Sequence, residues 1–88
     1  MEVGGKYSIL VIFGYTDDIE SHLIKAARRE PINRNYEPHE GKFFLRWEWR
    51  TKKAAERARA RMWTLYQDDT IPRWVWIGKV QKDEFLGG

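Results

Sequence analysis

Cysteine is absent from this 88-residue chain. No disulfide scaffold, thiolate nucleophile or cysteine-based zinc site can therefore be built. Histidine and serine are almost as scarce. The two histidines are His22, beside the apolar stripe of a predicted helix, and His39, in a predicted hairpin loop. Neither forms a motif with Ser8 or Ser21, the only serines. No glycine-rich phosphate loop, HExxH pair or EF-hand spacing occurs, and the glycine-and-arginine loop of acylphosphatases is missing. Asp17 and Asp18 open the first predicted helix and Asp68 and Asp69 close the second, at one end of the predicted fold, where four carboxylates could hold Mg²⁺. All four fall in turns or caps, where aspartate is favoured for local reasons. The residues predict no enzyme, no cofactor and no metal.

Long apolar runs are also lacking. The longest, Ile9 to Phe13, is far too short to cross a bilayer, so no membrane partner is expected. The first residues carry no basic segment ahead of an apolar stretch, which fits a cytoplasmic domain. This length supports one domain with one core, spanning residues 1–88, with glycine-rich ends that should fray.

Aromatic residues and arginine fill the space those absences leave. Aromatics make up 15% of the chain, five of them tryptophan, enough to give a small domain a substantial core. The net charge is only +3, but it is unevenly spread. Residues 42–61 hold eight basic groups and two acids, a local charge of +6, so the other 68 residues sum to −3. Such asymmetry is the footprint of an anionic partner, and the dominance of arginine suits phosphate or carboxylate recognition.

The hydrophobic periodicity predicts the order β-α-β-β-α-β. Lys6–Phe13 is apolar on both faces, as a central strand is. A helix follows from a Thr16 or Asp17 cap to Arg29, stopped by Pro31. Residues 33–37 fit a short edge strand, and 38–41 a hairpin loop. Lys42–Arg50 alternates cleanly, with Phe43, Leu45, Trp47 and Trp49 on one face. Thr51 caps a second helix running to about Tyr66, with Ala54, Ala55, Ala58, Met62, Leu65 and Tyr66 in its core stripe. Arg73–Gln81 reads as the last strand, with Trp74 and Trp76 turned to the core and Val75, Ile77 and Lys79 away from it. The simplest closure is an α+β, ferredoxin-like two-layer α/β plait. It has an antiparallel sheet in spatial order 4-1-3-2 and two helices on one face.

The plait leaves one sheet face uncovered, with Leu10, Ile12, Phe44, Arg46, Glu48 and Arg50 expected on it. Single-strand RNA-binding modules use such a face to stack bases and neutralise phosphates. Gly41–Trp47 has some of the texture of one such strand motif. Its Gly and Lys stand in the wrong order and Phe43 fills the small-residue position, so no family is assigned. The plait also brings Arg28, Arg29, Arg50, Lys52 and Lys53 toward the start of the second helix, whose N–H groups favour anions. Lys52 and Lys53 oppose the helix dipole there. Trp63 lies off the core stripe, on one row with Arg59.

The leading expectation is nucleic-acid binding. Arg46, Arg50, Lys52, Lys53, Arg57, Arg59 and Arg61 would contact phosphates, and Phe44 or Trp63 would stack. The alternative is a protein-interaction domain. It would be either a homodimer through the open sheet or a small inhibitor, of the kind phages and mobile elements carry, docking on an acidic protein partner.

Overall fold

The computed structural model describes residues 6–14 and 19–83. The glycine-rich ends and the predicted helix cap with Thr16, Asp17 and Asp18 lie outside the described residues. The elements are β1 (Lys6–Gly14), α1 (Ile19–Ala27), β2 (Asn33–Glu37), β3 (Lys42–Trp49), α2 (Lys52–Gln67), β4 (Trp76–Ile77) and β5 (Gln81–Asp83). The fold is α+β, with five antiparallel strands and two helices. The path across the sheet is β2-β3-β1-β4, and β5 also pairs with β1.

Register explains which residues become core. Tyr7, Ile9, Val11 and Phe13 stand opposite Trp49, Trp47, Leu45 and Phe43. These rows meet Ile19, Leu23 and Ala27 of α1 and Ala55, Ala58 and Met62 of α2 in one hydrophobic cluster. Ala55 and Ala58 of α2 are fully buried, allowing the close approach to the sheet that their size suggests. Residues 33–37 do form an edge strand, paired with β3 from Asn33↔Arg46 to Glu37↔Lys42. Tyr36 stacks on Phe43 across this pair, with ring centroids 4.5 Å apart. Arg34 joins β2 to α1 through Glu20 at 2.6 Å and also reaches Glu30. Both carboxylates raise its pKa, through hydrogen bonds first.

The helix ends follow ordinary capping chemistry. Thr51 Oγ1 accepts from Ala54 N–H, as an N-cap should. At the end of α1, Arg28 takes a left-handed conformation (φ 64°) and its N–H donates to Ile24 O. At the end of α2, Asp69 is left-handed (φ 57°). Its N–H donates to Tyr66 O, and Thr70 N–H donates to Leu65 O, a Schellman closure. Aspartate tolerates that conformation better than most residues. Asp69 thus has a local reason to sit against the helix dipole.

The final strand departs from expectation in two ways. First, it is divided. Between the pairs Val11↔Ile77 and Ser8↔Gln81, β1 has two residues and the other chain segment has three: Gly78, Lys79 and Val80. This is a one-residue bulge, and the segment from Pro72 to Val75 is a turn closed by Val75 N–H to Pro72 O. Second, its faces are reversed. Val75 and Ile77 are buried, whereas Trp74 and Trp76 are each 53% exposed. Alternation fixes which residues share a face but not which face is inward. Here the register Val11↔Ile77 decides. Val75 and Ile77 thereby join the cluster that holds Trp47, Trp49 and Met62.

Both reversed tryptophans rest on glycines. A Cβ at Gly14 would meet the Trp74 ring at 3.6 Å. A Cβ at Gly78 would meet the Trp76 ring at 2.9 Å and Leu10 O at 3.0 Å. Gly78→Ala should therefore lift Trp76 and strain the β1–β4 contact, at a cost of about 1–3 kcal/mol. Urea denaturation checks this; an unchanged midpoint refutes the packing account.

Candidate nucleic-acid interface

Neither helix lies on the even-numbered face of β1. Its residues form cross-strand rows. Ile12 stands between Phe44 and Trp76, with Asn35 beyond Phe44. Leu10 stands beside Arg46, with Asn33 beyond it. Ser8 stands between Glu48 and Gln81. The upper row is aromatic and apolar, and Trp74 extends it over Gly14. The one acid of these rows, Glu48, lies 3.2 Å from Arg46 and 3.5 Å from Lys6, its side chain only 18% exposed. The face therefore offers three partly exposed rings around a Glu48 that is already neutralised, with Glu37 opposite Lys42 at one end of the face and Asp83 opposite Lys6 at the other.

The structure separates the basic segment into several groups. Arg46 belongs to the open face. Lys52 and Lys53 are exposed in the first turn of α2, which has no acid; Lys52 reaches Glu56 only at 4.0 Å. Arg50 is exposed just before the cap. Lys53, Arg57 and Arg61 follow one another at i, i+4 along α2, a like-charge row that weakens a helix on its own.

Arg61 is drawn inward. Its Nε donates to Ala26 O at 2.6 Å, and its second nitrogen reaches Ala27 O at 3.4 Å. It thus satisfies the last carbonyls of α1. Burial lowers its pKa, and the charges of Arg28 and Arg57 lower it further. Arg61 thus sits at the α1–α2 seam, within the electrostatic reach of Arg28 and Arg57. Arg29 is engaged by the end of β3. Its guanidinium donates to Glu48 O at 2.8 Å and lies 5.5 Å over the Trp49 ring, while its own carbonyl accepts from Trp47 Nε1 at 2.9 Å. Arg29 is a structural stitch between α1 and β3.

Arg59 and Trp63 lie on the other flank of α2, toward β4. Arg59 Nε donates to Gly78 O at 2.7 Å, and its guanidinium sits 5.4 Å over the Trp63 ring. Trp63 meets Tyr66 edge to face at 4.9 Å and stays 44% exposed. The Tyr66 hydroxyl donates to Val75 O. Burial raises the Tyr66 pKa, against smaller opposing effects of the Ile77 backbone and the Arg59 charge. With a folded pKa above the ordinary value, stability from this group is complete below pH 10.0 and is lost as pH rises through the folded value. Tyr66→Phe should cost about 1 kcal/mol at neutral pH and flatten the alkaline fall in stability. Denaturation at neutral and alkaline pH tests it; an identical alkaline slope in the variant contradicts the assignment.

Phe44 and Arg46 of the predicted site are on the open face, and Arg59 and Trp63 line a groove beside it. Sequence reasoning missed Trp74 and Trp76 as exposed rings, and Arg73 and Lys79 beside the groove. The signal available was Gly78, two residues after Trp76 and on its face, a position where a large ring can lie flat over a strand. No cluster of three or more metal-ligating residues occurs among the described residues, and no described helix is long and apolar enough to cross a membrane. Comparison with protein-family models, with curated proteins and with solved structures finds no match to this chain.

Proposed function

We propose that this protein binds nucleic acid through the open face of its sheet, within a ferredoxin-like plait whose last strand is divided by a bulge. The observation that carries the reading is the set of partly exposed rings, Trp74, Trp76 and Phe44, on the uncovered face. Exposing large rings is costly unless a partner uses them, and base stacking on such rings is sequence-tolerant. Arg50, Lys52, Lys53 and Arg57 supply exposed positive charge around the domain. Binding should weaken steeply with salt, because phosphate neutralisation releases counterions. Replacing Lys52 and Lys53 together by alanine should weaken binding uniformly across sequences. On single strands the salt slope should fall by about 0.7 for each phosphate no longer neutralised. Anisotropy titrations at several salt concentrations test this; no binding at low salt sinks the reading.

The contiguous apolar surface formed by Leu10, Ile12, Phe44 and Trp76 favours a second reading, a homodimer through the same face. Phe44→Asp should then convert a dimer to monomers in sedimentation. A protein that is monomeric at high concentration before the change excludes that version.

A further inference from the structure

Beside the open face, α2 and β4 enclose a groove of about 620 Å³. Its lining includes Trp63, Tyr66 and Trp76 together with Arg59, Arg73 and Lys79, with no carboxylate among the described residues that line it. We propose that this groove seats one nucleotide of a single strand that crosses the open face and passes over the β4 edge. This rests on the nucleic-acid reading above and narrows it to unpaired chains.

Four observations support the assignment. The chemistry is complementary: rings for a base and three cations for the adjoining phosphates. The walls are fixed before any ligand arrives. Arg59 holds Gly78 O, and the Tyr66 hydroxyl holds Val75 O, so α2 and the edge strand are clamped together. With its Nε so engaged, Arg59 keeps its guanidinium over Trp63 rather than extended into solvent. The groove is also continuous with the open face, because Trp76 both lines it and stands opposite Ile12 in the aromatic row. Finally, its volume lies in the range of about 300–1,000 Å³ that accepts one small-molecule-sized unit, which a base with its phosphate is and a duplex is not.

The test is fluorescence anisotropy with labelled oligothymidylate and oligouridylate of about three and about nine nucleotides, and with a duplex of the longer length. The longer single strand should bind more tightly than the duplex. Trp63→Ala should weaken the longer strand about 5- to 150-fold and leave the short one, held on the open face, unchanged. Trp63 packs against Tyr66, so a second variant guards against misfolding. Arg73→Ala with Lys79→Ala alters two exposed side chains and should lower the salt slope for the longer strand by about 1.4. Unchanged affinity and slope in both groove variants, while Phe44→Ala still weakens binding, overturns the groove assignment alone. Duplex bound as tightly as single strand overturns it as well. A wild-type protein that binds none of the probes at low salt removes the nucleic-acid reading and the groove with it.

Discussion

Trp47→Ala should lower folding stability by about 3–5 kcal/mol, the usual loss for removing a large aromatic from a packed core. Trp47 is fully buried on the central pair of strands, opposite Ile9. Its Nε1 also donates to Arg29 O, where the chain leaves α1. The substitution therefore empties a large volume and strips a hydrogen bond from a carbonyl that helps join α1 to β3. Domains of this kind have total stabilities of about 5–15 kcal/mol, and a small one should sit low in that range. Much of the population should then be unfolded at physiological temperature. Trp47→Phe keeps the ring packing and isolates the hydrogen bond, and should lose less than the alanine variant. Thermal and urea denaturation of the pair decide the matter. Equal losses in the two variants exclude a separate role for ring packing at this position, and a loss under about 1 kcal/mol in both contradicts the core assignment.

Trp76→Ala should do the reverse, sparing the fold and removing binding. The ring is half-exposed over Gly78, so its removal uncovers little core. Stacking on one aromatic is worth about 1–3 kcal/mol per base, or roughly a 5- to 150-fold loss of affinity. Because the same residue lines the α2–β4 groove, the expected value lies in the upper part of that range. Parallel anisotropy and denaturation measurements separate the two effects. Full affinity in a well-folded Trp76→Ala protein places the nucleic-acid contact elsewhere. A large stability loss shows instead that the ring is a structural cover for the bulge.

The two tryptophans also mark where sequence reading succeeds and fails. Lys42–Trp49 has strict alternation with an arginine and a glutamate on one side, so its buried face could be assigned at once. Thr51 with an alanine-rich stripe likewise identifies α2 and its sheet-facing side. In Trp74-Val75-Trp76-Ile77 every residue is apolar, and alternation alone leaves the sense undecided. Ring size points inward, whereas pairing with Val11 turns Val75 and Ile77 inward. The bulge was hidden for a related reason. It depends on the count of residues between two cross-strand pairs, which no local pattern encodes.

The basic segment shows a similar division. Its total charge is plain from the sequence, but its use is tertiary. Arg59 and Arg61 are two residues apart on α2 and bond to carbonyls of different elements, Gly78 and Ala26. Arg29, outside the segment, is held by β3. Contacts between residues 19 and 35 positions apart cannot be read from spacing. The groove was beyond reach for that reason, since its two walls come from α2 and from β4.

The bulge has a consequence for the behaviour of the molecule in concentrated solution. A flat terminal strand is a template on which another copy can add, and repeated addition leads to insoluble fibres. Here one border of the sheet is broken at Gly78–Val80, with Lys79 at the break and the carbonyls of Val75 and Gly78 already occupied by Tyr66 and Arg59. The other border is the five-residue β2, largely polar and exposed. Both ends of the sheet thus disfavour growth by strand addition, so the uncovered rings of its face are the surface left for contact with other molecules.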